Sequence, residues 1–326
     1  MQVFVTGAAG PLGRSLIELL TRQGHMVSGL VRRSSGVAIL RYYRVEPVLG
    51  DLTRVEALAD AMRGCDVVFH LAHFFDFWSK NKTTFDRVNV EGTRNTVAAA
   101  AKARVPRVVF CSSSMTIGAP SGAWGHEDTQ HSGHTHSAFE RSTLKAERIA
   151  LASRNNGTEV VVVNPSLVVA PNDPGWTGRL IADCVSGHHM FASDTPVGWI
   201  SVTDAAHGCA LAMERGEDGK RYILSGDSLS PRTFLSIVAR LAGKHAPHAL
   251  PRSLAIGGAL LATAVSAPFG RRPSLSLDEA RFLTSGFRVD GTQAILDLGM
   301  QYTPLARYLS PIVASYRTAL RRFAVA

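Results

Sequence analysis

The sequence predicts an α/β protein, in which a doubly wound parallel sheet is joined to a smaller, mostly helical lobe. Over the first 225 residues, apolar and valine-rich runs of strand length alternate with amphipathic runs of helix length. That alternation is typical of a parallel sheet buried between two layers of helices. A glycine-rich loop follows the first run directly, and the last hundred residues read as helices with short connections.

The order of the elements follows from these runs. The strands are expected to be apolar on both faces, as buried parallel strands are. The predicted strands are 2–6, 26–31, 45–49, 66–71, 107–112, 158–163 and 221–225. The predicted helices lie near 12–23, 55–63, 84–104, 138–155 and 203–214.

The glycine loop predicts a dinucleotide site. Gly7, Gly10 and Gly13 lie between the first strand and the first helix, so backbone amides at the helix start can face a pyrophosphate. Arg32 and Arg33 follow the second strand, where proteins that prefer NAD tend to carry an acid for the ribose hydroxyls. Arginines there would pair with the 2′-phosphate of NADP(H), which we favour over NAD(H). Solvated surface charge is the alternative.

Two interleaved domains are expected from the 326 residues. The pattern loosens after about residue 165 into a stretch rich in Pro, Asn and Gly, whereas 221–225 reads as a further strand of the sheet. We predict a dinucleotide-binding domain from 1–164 plus about 196–229. A substrate-binding lobe would comprise about 165–195 plus 230–326 and would close over the carboxyl ends of the strands.

Charge and cysteine usage narrow the class of protein. The net charge of +9 comes from scattered arginines without a dense basic run, which predicts a solvated surface and no nucleic-acid partner. Cys65, Cys111, Cys184 and Cys209 are isolated and lack metal-ligand spacing. We therefore expect reduced, mostly buried thiols in a cytoplasmic protein, with no disulfide and no metal site.

One apolar segment bears on membranes. Residues 253–270 carry no charge, but they are at the lower limit of length for a spanning helix and contain Gly, Ser, Thr and Pro. We expect a helix that is buried or dips into a surface, so the protein would have no spanning segment. Peripheral membrane contact and a homodimer both remain compatible with the sequence.

Several motifs occur in a characteristic order and spacing. They are TGxxGxxG at Thr6–Gly13, GDL at 50–52, FHLA at 69–72, VNVEGT at 88–93, FCSSS at 110–114, NPS at 164–166 and SVTDAA at 201–206. Together they resemble the extended short-chain dehydrogenase/reductase superfamily over nearly the whole chain. The resemblance is strongest to the branch of NAD-dependent epimerases and dehydratases, 3β-hydroxysteroid dehydrogenases, dihydroflavonol-reductase-like proteins and hopanoid-associated epimerase-like proteins.

The resemblance implies a Rossmann-type domain and a set of cofactor contacts. Asp51–Leu52 would flank the adenine, and Ala72 would lie along the cofactor. Asn89 would stabilise the helix turn near the site, and Pro165–Ser166 would border the nicotinamide. The expected cofactor residues are Gly7, Gly10, Pro11, Leu12, Gly13, Arg32, Arg33, Asp51, Leu52, Leu71, Ala72, Asn89, Pro165 and Ser166.

The resemblance fails at two positions of the catalytic helix. The family's chemistry implies a tyrosine that transfers a proton, a lysine four residues later that lowers the pKa of its hydroxyl, and a serine that fixes the substrate oxygen. The family pattern Ala-Tyr-x-x-Ser-Lys-x-x-Ala-Glu falls on AFERSTLKAE, which places Phe139 at the tyrosine position and Thr143 at the lysine position. A second register would use Arg141 and Lys145 instead. The chain contains no Tyr-x-x-x-Lys.

Other polar residues are candidates to replace the missing acid. Ser113 occupies the serine position, with Ser114 beside it. Several histidines fall between residues 126 and 136, and His134 and His136 are the candidates for proton transfer. A polar surface loop without a catalytic role is the alternative.

The sequence therefore predicts an atypical NADP(H)-binding enzyme of this superfamily. Its substrate would be a small, largely apolar hydroxy or keto metabolite, similar to a steroid, terpenoid or polyketide. Two alternatives stay open. One is a non-redox isomerase, cyclase or dehydratase on the same scaffold, and the other is a non-catalytic protein that senses the cofactor.

Overall fold

The strands of the described residues form one large sheet and three small ones. The computed structural model describes residues 1–118, 122–154, 157–188 and 191–324, without the side chains of 321–324. The strands are β1 Gln2–Thr6, β2 Met26–Val31, β3 Glu46–Leu49, β4 Val67–His70, β5 Arg107–Cys111, β6 Trp124–Gly125, β7 Glu159–Pro165, β8 Leu167–Val169, β9 Phe191–Ala192, β10 Val197–Ser201, β11 Arg221–Leu224, β12 Asp227–Leu229, β13 His248–Ala249 and β14 Arg288–Val289.

The described part of the chain also forms thirteen α-helices, and a π-helical turn, Asp86–Glu91, joins two of them. The helices are α1 Pro11–Arg22, α2 Ser34–Tyr42, α3 Val55–Ala61, α4 Thr83–Phe85, α5 Gly92–Lys102, α6 Ala138–Ser153, α7 Trp176–Ser186, α8 Val202–Arg215, α9 Pro231–Ala242, α10 Arg252–Ser266, α11 Leu277–Ser285, α12 Thr292–Leu298 and α13 Leu305–Ala324.

The main sheet has seven parallel strands in the order β3-β2-β1-β4-β5-β7-β11. The chain builds outward in one direction from β1 to β3 and then in the other from β4 to β11. The carboxyl ends of β1 and β4 are therefore adjacent at the point where the direction reverses, which is where ligands of such sheets bind. This topology confirms the predicted doubly wound fold.

Side chains of β7 explain why its sequence is apolar on both faces. Val161 and Val163 pack on one side of the sheet with α1 and α8, whereas Val160 and Val162 pack on the other side with α3, α5 and α6. All four side chains are fully buried. A parallel strand covered on both faces needs this continuous apolar run.

The sequence prediction omitted α2, which follows Arg33. Its first turn contains Ser34, Ser35 and Gly36, residue types that favour turns over helix interiors. Gly36 is required there because a Cβ atom would lie 2.8 Å from the Cβ of Val31. Close packing of α2 against β2 therefore overrides the weak local helix propensity.

The smaller lobe has its own sheet and core. Strand β10 pairs in parallel with β8 and antiparallel with β12, and Trp199 of β10 stacks on Phe234 of α9 with 3.8 Å between ring centroids. Residues 221–224, by contrast, form the edge of the main sheet. The predicted domain boundaries stay a prediction, and residue 155, where the predicted helix 138–155 ends, lies outside the described residues.

Candidate active site

A cavity of about 850 Å³ lies along the carboxyl ends of the central strands. Every predicted cofactor residue except Asn89 lines it. The cavity begins at the glycine loop and the two arginines and continues to Ser113, Phe139 and the aromatic residue Phe282 of the smaller lobe. One cavity therefore joins the predicted cofactor groove to an apolar chamber.

The glycine loop is packed so tightly that side chains are excluded at two of its three glycines. Gly7 has a positive φ of 70°, and a Cβ atom there would lie 2.8 Å from the backbone nitrogen of Ala72. A Cβ atom on Gly13 would lie 2.2 Å from the carbonyl oxygen of Gly7. Helix α1 begins directly after Gly10, with Pro11 in its first turn. Its free amides are the groups that bind a pyrophosphate in other dinucleotide sites.

Two unpaired guanidinium groups border the adenosine side of the cavity. Arg32 and Arg33 are exposed, and among the described residues no carboxylate lies within 4.0 Å of either. Asp51 also lines the cavity, but it accepts hydrogen bonds from the backbone and the hydroxyl of Thr53. Those bonds hold the pKa of Asp51 below its usual value, and the charges of Arg54 and Arg32 act in the same direction.

Helix α6 places Phe139 at the cavity. Its N-cap, Ser137, accepts a hydrogen bond from the amide of Glu140 at 3.1 Å, which fixes the first turn. The ring of Phe139 is 5% exposed and contacts the ring of Phe75 with 4.7 Å between centroids. No hydroxyl stands at this position to transfer a proton.

The other residues of this helix do not reach the cavity. Thr143 is fully buried, and its Oγ1 has no hydrogen-bond partner among the described residues. Arg141 is exposed, and Lys145 lies outside with its Nζ 3.8 Å from Asp86. The position of Lys145 gives no support to the second register, in which it would face the cofactor.

Ser113 and Ser114 both line the cavity at the end of β5. The Oγ of Ser113 accepts a hydrogen bond from the amide of Met115 at 3.3 Å, so its own proton is free for a substrate oxygen. Behind it, Asn164 donates to the carbonyl oxygen of Ser113 and to the carboxylate of Glu147, at 3.2 and 2.8 Å. This buried network, which the sequence did not reveal, holds the serine in place.

The structure does not bring His134 and His136 to the cavity. Both residues are exposed, and neither is among the lining residues. The loop is held away by Glu140, whose carboxylate accepts from the amide of His136 at 2.6 Å and contacts Nε2 of His131 at 3.1 Å. Their predicted role in proton transfer therefore has no support in the geometry.

A different histidine, His73, lines the cavity. Its Nε2 is sealed from solvent and has no hydrogen-bond partner among the described residues. Burial lowers the pKa of His73 to about 4, against a smaller opposing effect from a hydrogen bond to the backbone of Leu71. We assign that bond to the N–H group at Nδ1. The ring is then neutral at pH 7, and Nε2 carries a lone pair that can accept a hydrogen bond. The run HFFDFW at 73–78 was the sequence signal for this residue.

Asn89 supports the site from behind rather than lining it. It lies in the π-helical turn, and its Oδ1 accepts from the amide of Phe74 at 2.8 Å. Its Nδ2 donates to the hydroxyl of Ser142 on α6 at 2.9 Å. The residue thus ties the segment that carries His73 to the helix that carries Phe139, and π-helical turns are frequent at functional sites.

The far end of the cavity is aromatic. Phe75, Phe139, Phe282 and Phe287 line it, and Phe282 is held by a stacked contact with Phe77 at 4.8 Å between centroids. These rings come from three separate parts of the chain, so no local sequence pattern could have shown that they meet.

Comparison with known proteins places this cavity in a family. The sequence model described as the NAD dependent epimerase/dehydratase family matches residues 3–225. The chain belongs to this family. Its membership confirms the resemblance to extended short-chain dehydrogenases/reductases drawn from the motifs.

Three relatives show how far the similarity extends. A putative dihydroflavonol 4-reductase from Synechocystis is 32% identical over 319 residues, which cover 95% of this chain and 93% of that protein. Sterol demethylase protein B from Methylococcus capsulatus is 31% identical over 323 residues, covering 97% and 98%. The crystal structure of a nucleoside-diphosphate-sugar epimerase from Pseudomonas aeruginosa aligns with a TM-score of 0.79 at 25% identity, covering 99% and 98%.

Proposed function

We propose that this member of the epimerase/dehydratase family is an NADP(H)-dependent enzyme that acts on a hydroxyl or keto group of a small, largely apolar metabolite. The observation that best supports this proposal is one continuous cavity. It extends from the glycine loop and Arg32 to a chamber lined by Phe75, Phe139 and Phe282. A steroid-, terpenoid- or polyketide-like ring system matches such a chamber better than a sugar would, because aromatic walls offer a sugar few hydrogen bonds.

The residues present fit a nicotinamide dinucleotide. Side chains are excluded at Gly7 and Gly13 of the glycine loop, and Ser166, which borders the cavity, has a buried hydroxyl without a partner among the described residues. Arg32 and Arg33 would hold the 2′-phosphate. When bound, the cofactor would supply a hydride acceptor or donor at the nicotinamide end.

The chain's own residues would orient the substrate and handle its proton. Ser113 would donate a hydrogen bond to the substrate oxygen. A turn of the His73 ring would bring Nε2, which is partnerless within the described ranges, to the cavity, where it would accept a hydrogen bond from a substrate hydroxyl. Because the pKa of His73 is about 4, the ring stays neutral at pH 7. The site therefore offers a hydrogen-bond acceptor for a substrate hydroxyl but no tyrosine acid to transfer its proton.

A non-redox reaction is the second candidate. Phe139 and Thr143 stand where the resemblance implies the tyrosine and the lysine of hydride transfer. Ser113 and His73 are polar side chains that still line the cavity there. An isomerase, cyclase or dehydratase needs a positioned acceptor and a chamber that disfavours water, and His73 and the aromatic lining would provide them. The dinucleotide would then serve as a wall of the pocket.

A paired assay tests the proposal. The protein is incubated with NADP⁺ and a 3-hydroxysteroid, with NADPH and the matching ketone, and with a UDP-sugar as the polar comparison. We expect reduced-nicotinamide absorbance to change only with the steroid-sized pair. Ser113→Ala should reduce the rate, whereas Ser132→Ala in the exposed loop should not.

Product formation with unchanged absorbance, detected by mass spectrometry, would support the non-redox candidate. Turnover of the UDP-sugar alone would refute the apolar-substrate proposal.

A further inference from the structure

Helix α10 exposes an apolar face that nothing in the described structure covers. Leu254, Leu261 and Val265 are 64%, 68% and 61% exposed, and spacings of seven and four residues place them in one line along the helix. Leu260 flanks that line at 52% exposure, and Phe269 follows the helix at 71%. Such a row of large exposed apolar side chains marks an interaction surface.

The exposed face also lacks charge. Its remaining exposed positions within α10, from Ser253 to Val265, are Ser253, Gly257, Gly258 and Ala264. The window Arg252–Phe269 has a mean hydropathy of 1.3, yet only 11% of it is buried. A solvent-facing helix normally carries charged residues on this side. This exposure excludes the first of the two expectations from sequence, a buried helix, whereas a helix that dips into a surface stays a prediction.

The opposite face of α10 anchors the helix to the protein. Ala255 and Ala259 are buried against α11, where Ala280 is also buried. The 15 residues of α10 extend about 22 Å, which is shorter than the hydrocarbon core of a bilayer. A helix held along one side in this way can lie in an interface but cannot cross it.

Unpaired cations flank both ends of the apolar face. Arg252 begins the helix, and Arg271 follows it with its guanidinium 6.0 Å from the centroid of the Phe269 ring. The stem of Lys80 lies beside Gly270. All three cations are exposed, and in the described ranges none has a carboxylate within 4.0 Å.

The nearby carboxylates are engaged inside the protein. Asp76 binds Arg179 and Arg272, each at 2.8 Å. Glu279 accepts from Nε1 of Trp176 at 2.8 Å, and Asp278 accepts from a backbone amide of α6. The surface around α10 is therefore positive at its rim and apolar at its centre.

We propose that α10 docks the protein on the surface of a membrane that contains anionic phospholipids. Leu254, Leu261 and Val265 would enter the boundary between headgroups and acyl chains, with Phe269 beside them. Arg252, Arg271 and Lys80 would bind phosphate groups. Apolar insertion and cation attraction together are what stable peripheral binding needs. A second copy of the chain would leave the three flanking cations facing one another across a two-fold interface, which disfavours that occupant.

Vesicle flotation with the full-length protein tests this docking. The probes are vesicles of phosphatidylcholine alone and vesicles with about one third phosphatidylglycerol. We expect flotation with the anionic vesicles, weakening as salt is raised. Leu254→Ser with Leu261→Ser and Val265→Ser should reduce bound protein by more than about tenfold, whereas Leu296→Ser, at an equally exposed leucine on α12, should not.

Charge is tested separately. Lys80→Glu with Arg271→Glu should abolish the preference for anionic vesicles, and Arg41→Glu with Arg307→Glu, at exposed positions elsewhere, should preserve it.

A fluorescence experiment reports insertion directly. The side chain introduced by Leu261→Trp should shift its emission to shorter wavelength only with anionic vesicles. Absence of flotation by the wild-type protein would overturn the proposal. So would a dimer in light scattering that the triple serine variant converts to a monomer, because α10 would then bind a second copy.

Discussion

At the scale of single residues, Phe139 carries the proposal that this protein departs from the usual chemistry of its family. Its ring reaches the cavity at the position where the resemblance implies a tyrosine hydroxyl. Restoring that hydroxyl with Phe139→Tyr should raise reduction of a steroid-sized ketone by NADPH, because a positioned general acid contributes about 10² to 10⁴ in rate. Because position 143 is a threonine and not a lysine that would lower the tyrosine's pKa, we expect a gain at the smaller end of that range.

The matched control is Phe282→Tyr, which adds a hydroxyl to another wall of the same cavity. Steady-state kcat is the measurement. An equal gain in both variants would show that position 139 has no special relation to the reacting atoms.

His73 is the second residue whose role can be isolated. Replacing it by phenylalanine keeps an aromatic ring but removes the acceptor at Nε2. The loss of one hydrogen bond to a substrate hydroxyl should lower kcat/KM for the alcohol by about ten- to a hundredfold, with cofactor affinity unchanged. Because the folded pKa is about 4, the wild-type dependence on neutral His73 should persist down to that pH. A step in activity near pH 6.5 that vanishes in His73→Phe would contradict the assigned burial.

At the scale of elements, the strands were easier to predict from the sequence than the residues of the site. The central strands of the main sheet were predictable because a short run that is apolar on both faces is typical of a buried parallel strand, whereas the edge strand β3 is only partly buried. Helix α2 was missed because packing against β2, not local propensity, forms it. His73 and the aromatic chamber were missed because their function arises from contacts between segments far apart in sequence, such as Phe77 with Phe282.

Ion pairs between elements should make the free energy of unfolding depend on pH. Asp76 joins the segment after β4 to Arg179 of α7 and to Arg272. Burial alone would raise the pKa of Asp76, but the hydrogen bond from Arg272 and both positive charges hold it below its usual value. A carboxyl whose pKa is lowered on folding stabilises the protein above its unfolded pKa of about 4. That stabilisation disappears as pH falls through the folded pKa.

Asp76→Asn should therefore lower the free energy of unfolding at pH 7 by about 1–3 kcal/mol, since both guanidinium groups are partly exposed. The difference from wild type should shrink as pH falls below about 4. Urea unfolding at pH 7 and at a pH below about 4 checks this. Asp60→Asn, in the exposed pair with Arg63, is the control. A destabilisation that is independent of pH would rule out the ionic origin.

At the scale of the whole molecule, the main sheet and the smaller lobe contribute to one cavity. Sheet loops provide the glycine turn and the arginines, and α11 of the lobe provides Phe282. A dinucleotide and an apolar substrate would thus occupy adjacent parts of the same space. Cofactor binding is the first requirement of that arrangement, and it does not depend on knowing the substrate.

Calorimetric titration of the wild-type protein with NADPH and with NADH tests the central claim most directly. We predict one site per chain and tighter binding of NADPH by about ten- to a hundredfold. Arg32→Ala with Arg33→Ala should remove the preference and leave NADH binding unchanged, whereas Arg41→Ala, on α2 but outside the cavity, should preserve it. If neither nucleotide binds, the account of this protein as a nicotinamide-dependent enzyme is contradicted.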